Sequence, residues 1–157
     1  GPRVLVSACS IGLWQIILRA DFYHLTQIPL DRALPAIAER VLASGEHLLI
    51  LAEDEKALDE LDQLLWTFRA DSFLPHGREG DQPILLAQMA EGQGSYANIA
   101  YADGQWRDPP AGCSRVFYFF DPTQLDGARA VWRALASTPI ERHYWKQDDA
   151  GRWREGP

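Results

Sequence analysis

The sequence is poor in cysteine and lacks the motifs that common catalytic sites require. It has only Cys9 and Cys113 among 157 residues. Two cysteines offer no disulfide framework, so a reducing, cytoplasmic setting is the simplest expectation. The four histidines are scattered singly, without the HExxH or CxxC patterns of zinc sites. No GxSxG nucleophile motif occurs. We therefore expect a chain with no catalytic site, no metal and no cofactor.

Basic residues and long apolar runs are also scarce. Fifteen Lys and Arg stand against 22 Asp and Glu, which gives a formal net charge of −7. A general nucleic-acid binder needs a basic surface for phosphates, so strong direct DNA binding is not expected. Residues 121–157 are the least acidic part, with six basic and six acidic residues. The largely apolar stretch at residues 4–18 falls short of the ~20 residues that span a bilayer, so we expect no membrane partner.

Residues 1–19 differ from the rest of the chain. The pair Gly1-Pro2 is typical of a protease remnant, and the apolar run after Arg3 is not followed by a convincing small-x-small cleavage site. We expect residues 1–19 to be a non-native leader and residues 20–157 to form one domain, since that length suits a single core. An extra element packed on the domain, or a targeting segment, are the alternatives.

Apolar runs and helical stripes alternate along the domain. Leucine-rich and aromatic-rich runs predict strands, and apolar residues at helical spacing predict helices whose stripes face a core. Alternation of this kind predicts a three-layer α/β/α sandwich with a mostly parallel sheet, a P-loop-like topology without a phosphate-binding loop. Pro35 is expected in the first turn of its helix. The strands are predicted at 22–25, 47–52, 84–89, 96–102, 116–120 and 142–146, and the helices at 30–42, 54–68 and from 121 or 123 to about 137.

An acidic corner follows the second predicted strand. Glu53, Asp54 and Glu55 resemble the magnesium-binding acids at the end of a Walker-B strand. A degenerate nucleotide-binding enzyme is therefore one hypothesis. That function needs a GxxxxGK[ST] loop to hold phosphates, and the sequence has none. The simpler interpretation is that Asp54 caps the next helix while the two glutamates interact with its positive first turn.

The last predicted helix offers the sharper candidate site. Arg129, Trp132 and Arg133 stand at i, i+3 and i+4, so they share one face. The buried side is expected to comprise Ala128, Val131 and Leu135. An indole between two guanidiniums can hold an apolar side chain while the guanidiniums bind carboxylates. The simpler alternative is a partly buried Trp with solvated arginines beside it.

A second aromatic pair lies outside the core stripes. Trp66 falls off the apolar stripe at the end of its helix, and Phe73 lies in the loop that follows. Large aromatic residues of this kind dominate many protein interfaces. The alternative is that Trp66 covers the helix end and Phe73 fills the edge of the core. His76 in the same loop is expected to hold it by hydrogen bonds.

Three motifs in this region resemble one known family. They are SG-x3-LI-x2-EDEK from Ser44, LD-x2-LW ending at Trp66, and SF-x-PH ending at His76. With DFYHL at residues 21–25 and YWKQDDAGRW at residues 144–153, they make residues 20–157 resemble the chi subunit of bacterial DNA polymerase III holoenzyme. The resemblance implies a non-catalytic clamp-loader subunit of the cytoplasmic replisome.

The resemblance also implies a partner for the last helix. The chi family binds the acidic C-terminal tail of single-stranded DNA-binding protein, in a pocket on this helix, on the strand before it and at the chain end. By resemblance the tail site comprises Arg129, Trp132 and Arg133, with Phe119 or Phe120 as its wall and Lys146 as a further candidate. Asp126 and Gly127 depart from the more basic or apolar residues expected at the helix start.

The second surface has a partner by resemblance as well. In the family, residues at the positions of Trp66 and Phe73 bind the clamp-loader psi subunit, or a helicase that competes for the same face. An adaptor for a DNA-repair helicase, acting through this surface without a tail site, is therefore the alternative function. Three further tryptophans receive no role: Trp106, Trp145 and Trp153.

Overall fold

One mixed sheet forms the centre of the fold. The structure is a computed structural model that describes residues 18–68 and 74–156. Within these ranges the eight strands are Arg19–His24 (β1), Leu48–Leu51 (β2), His76–Gly77 (β3), Ile84–Ala87 (β4), Asn98–Tyr101 (β5), Arg115–Phe120 (β6), Glu141–Gln147 (β7) and Trp153–Glu155 (β8). They join in the order β3-β4-β2-β5-β6-β1-β7-β8. Neighbouring strands are parallel except for β7 and β8, which form an antiparallel hairpin. The predicted α/β class with a mostly parallel sheet is confirmed.

Three α-helices accompany the sheet in the described ranges. Two short 3-10 turns, Pro122–Gln124 and Leu135–Ser137, flank the third helix. The helices are Leu30–Ala43 (α1), Glu55–Thr67 (α2) and Leu125–Ala134 (α3).

The core lies on both faces of the sheet. Central strands such as β2 and β4 are buried at every residue, as expected for parallel strands covered on both sides. The apolar stripes of α1 and α2 pack on one face, together with Phe117 and Phe119. On the other face α3 packs against Phe22 and Phe120 through its buried Ala128. Helices on the two faces produce the predicted three layers.

The start of the first strand and the number of strands differ from the sequence-based prediction. The first strand begins at Arg19, inside the range assigned to a leader, and residues 1–17 of that range lie outside the described residues. The strands β3 and β8 were not predicted, because each has only two or three residues and little apolar character.

In the described parts of the chain, no helix combines the length and apolarity that crossing a membrane would require.

The prediction for Pro35 is wrong. Helix α1 begins at Leu30, so Pro35 is its sixth residue and lies beyond the first turn. There a proline cannot donate to the carbonyl of Asp31, four residues earlier. Burial of Leu34 and Ile37 on the core face stabilises the helix around it.

Helix α2 follows the prediction closely. The Asp54 carboxylate accepts a hydrogen bond from the backbone N–H of Lys56 at 3.2 Å, which caps the helix start. Leu58, Leu61 and Leu65 form its buried stripe. Trp66 lies off that stripe and is 55% exposed.

Candidate functional site

The start of α3 is fixed by a capping box after β6. The Asp121 carboxylate accepts from the N–H of Thr123 at 2.8 Å, and the Gln124 side chain accepts from the N–H of Asp121 at 3.0 Å. The same glutamine donates to the carbonyl of Asp103 at 3.0 Å. Helix α3 is thereby anchored at the carboxyl end of the sheet, so its side chains are held at a fixed rotation.

A cleft lies between α3 and the β7–β8 hairpin. It has a volume of about 450 Å³. We call it the α3–β7 cleft, and its lining residues are Arg129, Trp132, Tyr144, Lys146, Arg154, Glu155 and Gly156. Side chains from one helix and two strands therefore meet at a single depression on the surface.

Strand alternation on β7 supplies one wall of this cleft. Arg142, Tyr144 and Lys146 are two positions apart along the strand, so they point to the same side of the sheet, the side of α3. Trp145 points to the other side, where its indole N–H donates to the buried carboxylate of Asp21 at 2.9 Å. One face of β7 therefore packs into the core, and the other face lines the cleft.

The indole of Trp132 is held from three sides. The guanidinium carbon of Arg142 lies 4.3 Å from the indole ring centroid, and Nη1 of Arg142 donates to the backbone carbonyl of Trp132 at 2.6 Å. The rings of Phe22 and Tyr144 approach the indole edge-on, at centroid distances of 5.2 and 5.7 Å. Trp132 remains half-buried, so part of a rigidly oriented indole is available to a ligand.

Three cationic side chains border the cleft: Arg129 from α3, Lys146 from β7 and Arg154 from β8. Lys146 and Arg154 lie directly opposite each other in the hairpin, an arrangement that is unfavourable for like charges. Arg154 donates to Asp148 at 3.1 Å, whereas neither Arg129 nor Lys146 forms an ion pair within residues 18–68 and 74–156. This local excess of positive charge suits an anionic ligand.

His24 lies beneath the cleft at the end of β1. It is 6% exposed and stacks on Phe120 with 5.2 Å between ring centroids. Its Nδ1 is 3.2 Å from the hydroxyl of Tyr144. Burial lowers the pKa of His24, and the charges of Lys146 and Arg129 lower it further.

The assignment of Phe119 and Phe120 as the cleft wall is corrected by the structure. Phe119 points to the face of α1 and α2, where it stacks on Tyr23 at 5.1 Å, so it cannot contact a ligand at α3. Phe120 points to the correct face but is 1% exposed beneath His24 and Tyr144. It supports the floor of the cleft without lining it.

The predicted helical face is also narrower than its spacing suggests. Arg129 and Trp132 both line the cleft, whereas Arg133 is exposed and does not. The reason is that α3 turns positions i and i+3 toward β7, which leaves position i+4 beside solvent. Lys146, a weaker candidate on sequence grounds, lines the cleft.

Sequence reasoning missed three residues around the cleft: Arg142, Tyr144 and Arg154. The signal for the first two was present, because Arg142, Tyr144 and Lys146 occupy every second position of the strand predicted at 142–146 and so share one face. Arg154 had no comparable signal, since β8 exists through its pairing with β7.

The second candidate surface is partly described. The Trp66 ring lies 4.8 Å from the imidazole of His76. As predicted, that imidazole holds its loop, through contacts with the carbonyls of Leu74 at 2.6 Å and Asp62 at 3.1 Å. Phe73, the other predicted residue, lies outside the described residues.

The acidic corner is engaged in local structure. Asp54 caps α2, and Glu55 forms an ion pair with Arg78 at 2.7 Å. The backbone N–H of Glu53 donates to Asp103 at 2.9 Å. No group of three or more potential metal-ligating side chains occurs in the parts of the chain that the structure describes.

Helix α3, which forms one wall of the cleft, lies in the part of the chain that matches a known protein family. The family model described as DNA polymerase III chi subunit, HolC, matches residues 18–142. DNA polymerase III subunit chi of Escherichia coli strain K12 is 45% identical over 71 residues, which are 41% of this chain and 48% of that protein. The Pseudomonas aeruginosa PAO1 subunit chi is 28% identical over 87 residues, which are 52% of this chain and 61% of that protein.

The chain spans about half to three fifths of the length of the two curated relatives. Among solved structures, the C-terminal domain of the DEAD-box protein Dbp5 is 14% identical with a TM-score of 0.29, over 84% of this chain and 79% of that chain. The family model covers most of the chain, from β1 into β7. The chain belongs to the DNA polymerase III chi subunit family.

Proposed function

We propose that this protein is a non-catalytic accessory subunit of bacterial DNA polymerase III that tethers the clamp loader to single-stranded DNA-binding protein. The α3–β7 cleft binds the acidic C-terminal tail of that protein. The observation that carries the proposal is the concentration of Arg129, Lys146 and Arg154 around a half-buried indole, on a chain whose net charge is −7.

The charges of the cleft favour a ligand with several carboxylates. Its three cations come from three different elements, and a ligand with several carboxylates can pair with more than one of them. An acidic peptide that ends in a free carboxylate supplies one charge at its terminus and others along its chain. Because the cations are partly exposed, each ion pair contributes about 0.2–1 kcal/mol and weakens as salt is added.

The aromatic side chains favour a large apolar residue at the end of that peptide. Trp132 and Tyr144 meet at 89°, which forms a right-angled apolar corner. A cleft of about 450 Å³ is of the size that holds a small organic ligand, and hence one aromatic residue with its carboxylate. Contact with both rings excludes water from the carboxylate and strengthens its hydrogen bonds.

A second contact completes the tethering function. Trp66 is exposed on α2 and supports binding of a clamp-loader psi subunit, or of a helicase, at that surface. Two moderate contacts on one domain give an effective local concentration of about millimolar for the linked partners. If the tail does not bind, an adaptor for a DNA-repair helicase through Trp66 and Phe73 is the function that remains.

The proposal is tested by titration with a short peptide of several aspartates ending in phenylalanine. We expect saturable binding at micromolar concentration, lost when the terminal carboxylate is amidated. Arg129→Ala should weaken binding up to about fivefold, which corresponds to about 1 kcal/mol, the upper end of the range for an exposed ion pair. Arg32→Ala, an exposed cation on α1, is the matched control and should bind as the wild type does. No saturation below millimolar would rule out the tail site.

A further inference from the structure

One polar atom under the cleft has no partner. Nε2 of His24 is buried and makes no hydrogen bond among the described residues. A buried polar atom left in this state costs free energy, so it calls for an explanation. The other ring nitrogen, Nδ1, contacts the hydroxyl of Tyr144 at 3.2 Å, and Tyr144 itself lines the cleft. His24 is therefore one side chain away from a bound ligand.

The surroundings of His24 hold it neutral while the cleft is empty. Lys146 is its neighbour in register on β7 and points to the same face of the sheet. Arg129 acts on it from α3, and β6 contributes the uncharged ring of Phe120. Tyr144 is the remaining titratable neighbour, and its own pKa is raised by burial, so its hydroxyl stays protonated near neutral pH.

An acidic ligand removes two of the causes that lower the pKa of His24, while its burial remains. Carboxylates that pair with Arg129 and Lys146 neutralise the two charges that oppose a positive imidazole. Resting on the proposed function, we infer that His24 binds a proton from solvent when an acidic peptide occupies the α3–β7 cleft. The affinity of the protein for the peptide therefore rises as pH falls. The uptake adds a buried positive charge beneath the bound carboxylates.

The contact with Tyr144 gives the proton a structural consequence. A protonated imidazole has a hydrogen on Nδ1, so it donates to the Tyr144 oxygen. The tyrosine hydroxyl hydrogen is then free to point into the cleft and to donate to a ligand carboxylate. In the neutral state the same hydroxyl is able to donate to Nδ1 instead. His24 is thus a specificity-determining residue that favours anionic ligands over neutral ones of the same shape.

The sign and size of the effect follow from linkage. The pKa of His24 lies below its ordinary value in the empty protein and rises when the ligand is bound. The gain in affinity is complete below the lower of these two values and vanishes above the higher one. Each unit of difference between them corresponds to about a tenfold change in affinity. We expect binding about threefold to tenfold tighter near pH 6 than near pH 8, where the peptide carboxylates remain ionised.

Calorimetry of the aspartate–phenylalanine peptide, in two buffers of different ionisation enthalpy at the same pH, counts the protons taken up. The wild type should take up a fraction of one proton near pH 6.5, and His24→Gln none. His47 is an exposed histidine that directly precedes β2, and the control variant His47→Gln should behave as the wild type. Peptide binding without uptake, or uptake that persists in His24→Gln, would overturn the inference and leave the tail site standing.

A second measurement is independent of whether His24→Gln folds. An NMR pH titration of the imidazole in the wild type, with and without saturating peptide, reports the pKa of His24 directly. A higher pKa in the complex supports the inference, and an unchanged or lower one refutes it. Failure of the peptide to bind at any pH would instead refute the proposed function, so the two failures are distinguishable.

Discussion

Replacing Arg142 by alanine removes two contacts that hold the Trp132 indole in place. The guanidinium lies 4.3 Å above the ring, and such a contact contributes about 0.5–2 kcal/mol, depending on its burial. Its 2.6 Å hydrogen bond to the Trp132 carbonyl has a charged donor, a type that contributes about 1.5–3 kcal/mol. Arg142 is half-buried, so we take the low ends of both ranges and expect a loss of about 2 kcal/mol in the free energy of unfolding.

For a domain of this size that loss lowers the melting temperature by about 4–8 °C. Thermal unfolding followed by circular dichroism measures it. The same variant should bind the acidic peptide about tenfold more weakly, because the indole is no longer fixed beside Tyr144. Arg142→Lys keeps the charge but loses the planar stack, so it should recover part of the stability and little of the affinity. If Arg142→Ala melts and binds as the wild type does, the indole is not held by Arg142.

Three further outcomes are expected. Arg129→Ala should weaken peptide binding about fivefold while Arg133→Ala changes it less than about twofold, since of these two arginines only Arg129 lines the cleft. Equal losses in fluorescence titrations would contradict this geometry. Glu141 and Glu155 raise the pKa of His143, so protonated His143 stabilises the folded state. This stabilisation is complete below pH ~6.5 and is lost as pH rises through the higher pKa of the folded state. The free energies of unfolding in urea of the wild type and of His143→Gln should therefore differ more at pH 6 than at pH 9. Trp66→Ala should change the free energy of unfolding by less than about 1 kcal/mol while abolishing capture of the psi subunit or helicase, because the side chain is 55% exposed.

Elements with a strong apolar pattern were predictable, and elements made by pairing were not. The four residues of β2 are all buried, and their continuous apolar run shows this directly. Strand β8 is different, because its three residues are ordered by a turn at Asp148, whose carboxylate accepts from the N–H groups of Ala150 and Arg152 at 2.9 Å. The sequence alone does not show that this turn joins two strands, because β8 is a strand through its pairing with β7.

The candidate site divides in the same way. Helical spacing placed Arg129 and Trp132 on one face, because side chains three residues apart on a helix are neighbours. The run at residues 116–120 is apolar at every position, so it contains no alternation from which the face of Phe119 or Phe120 could be read. The wall made by Tyr144 and Lys146 depends on β7 lying beside α3, which is a property of the tertiary fold.

The strand order also sets the spacing between the two candidate surfaces. Trp66 contacts His76 on β3 and lies on the α1–α2 face, whereas the cleft is built on β7 on the α3 face. Six strand-to-strand steps separate β3 from β7, which is roughly 29 Å at about 4.8 Å a step. Ligands bound at these two places would contact different residues, so we expect both to bind at once, and saturating one place should leave the dissociation constant of the other unchanged.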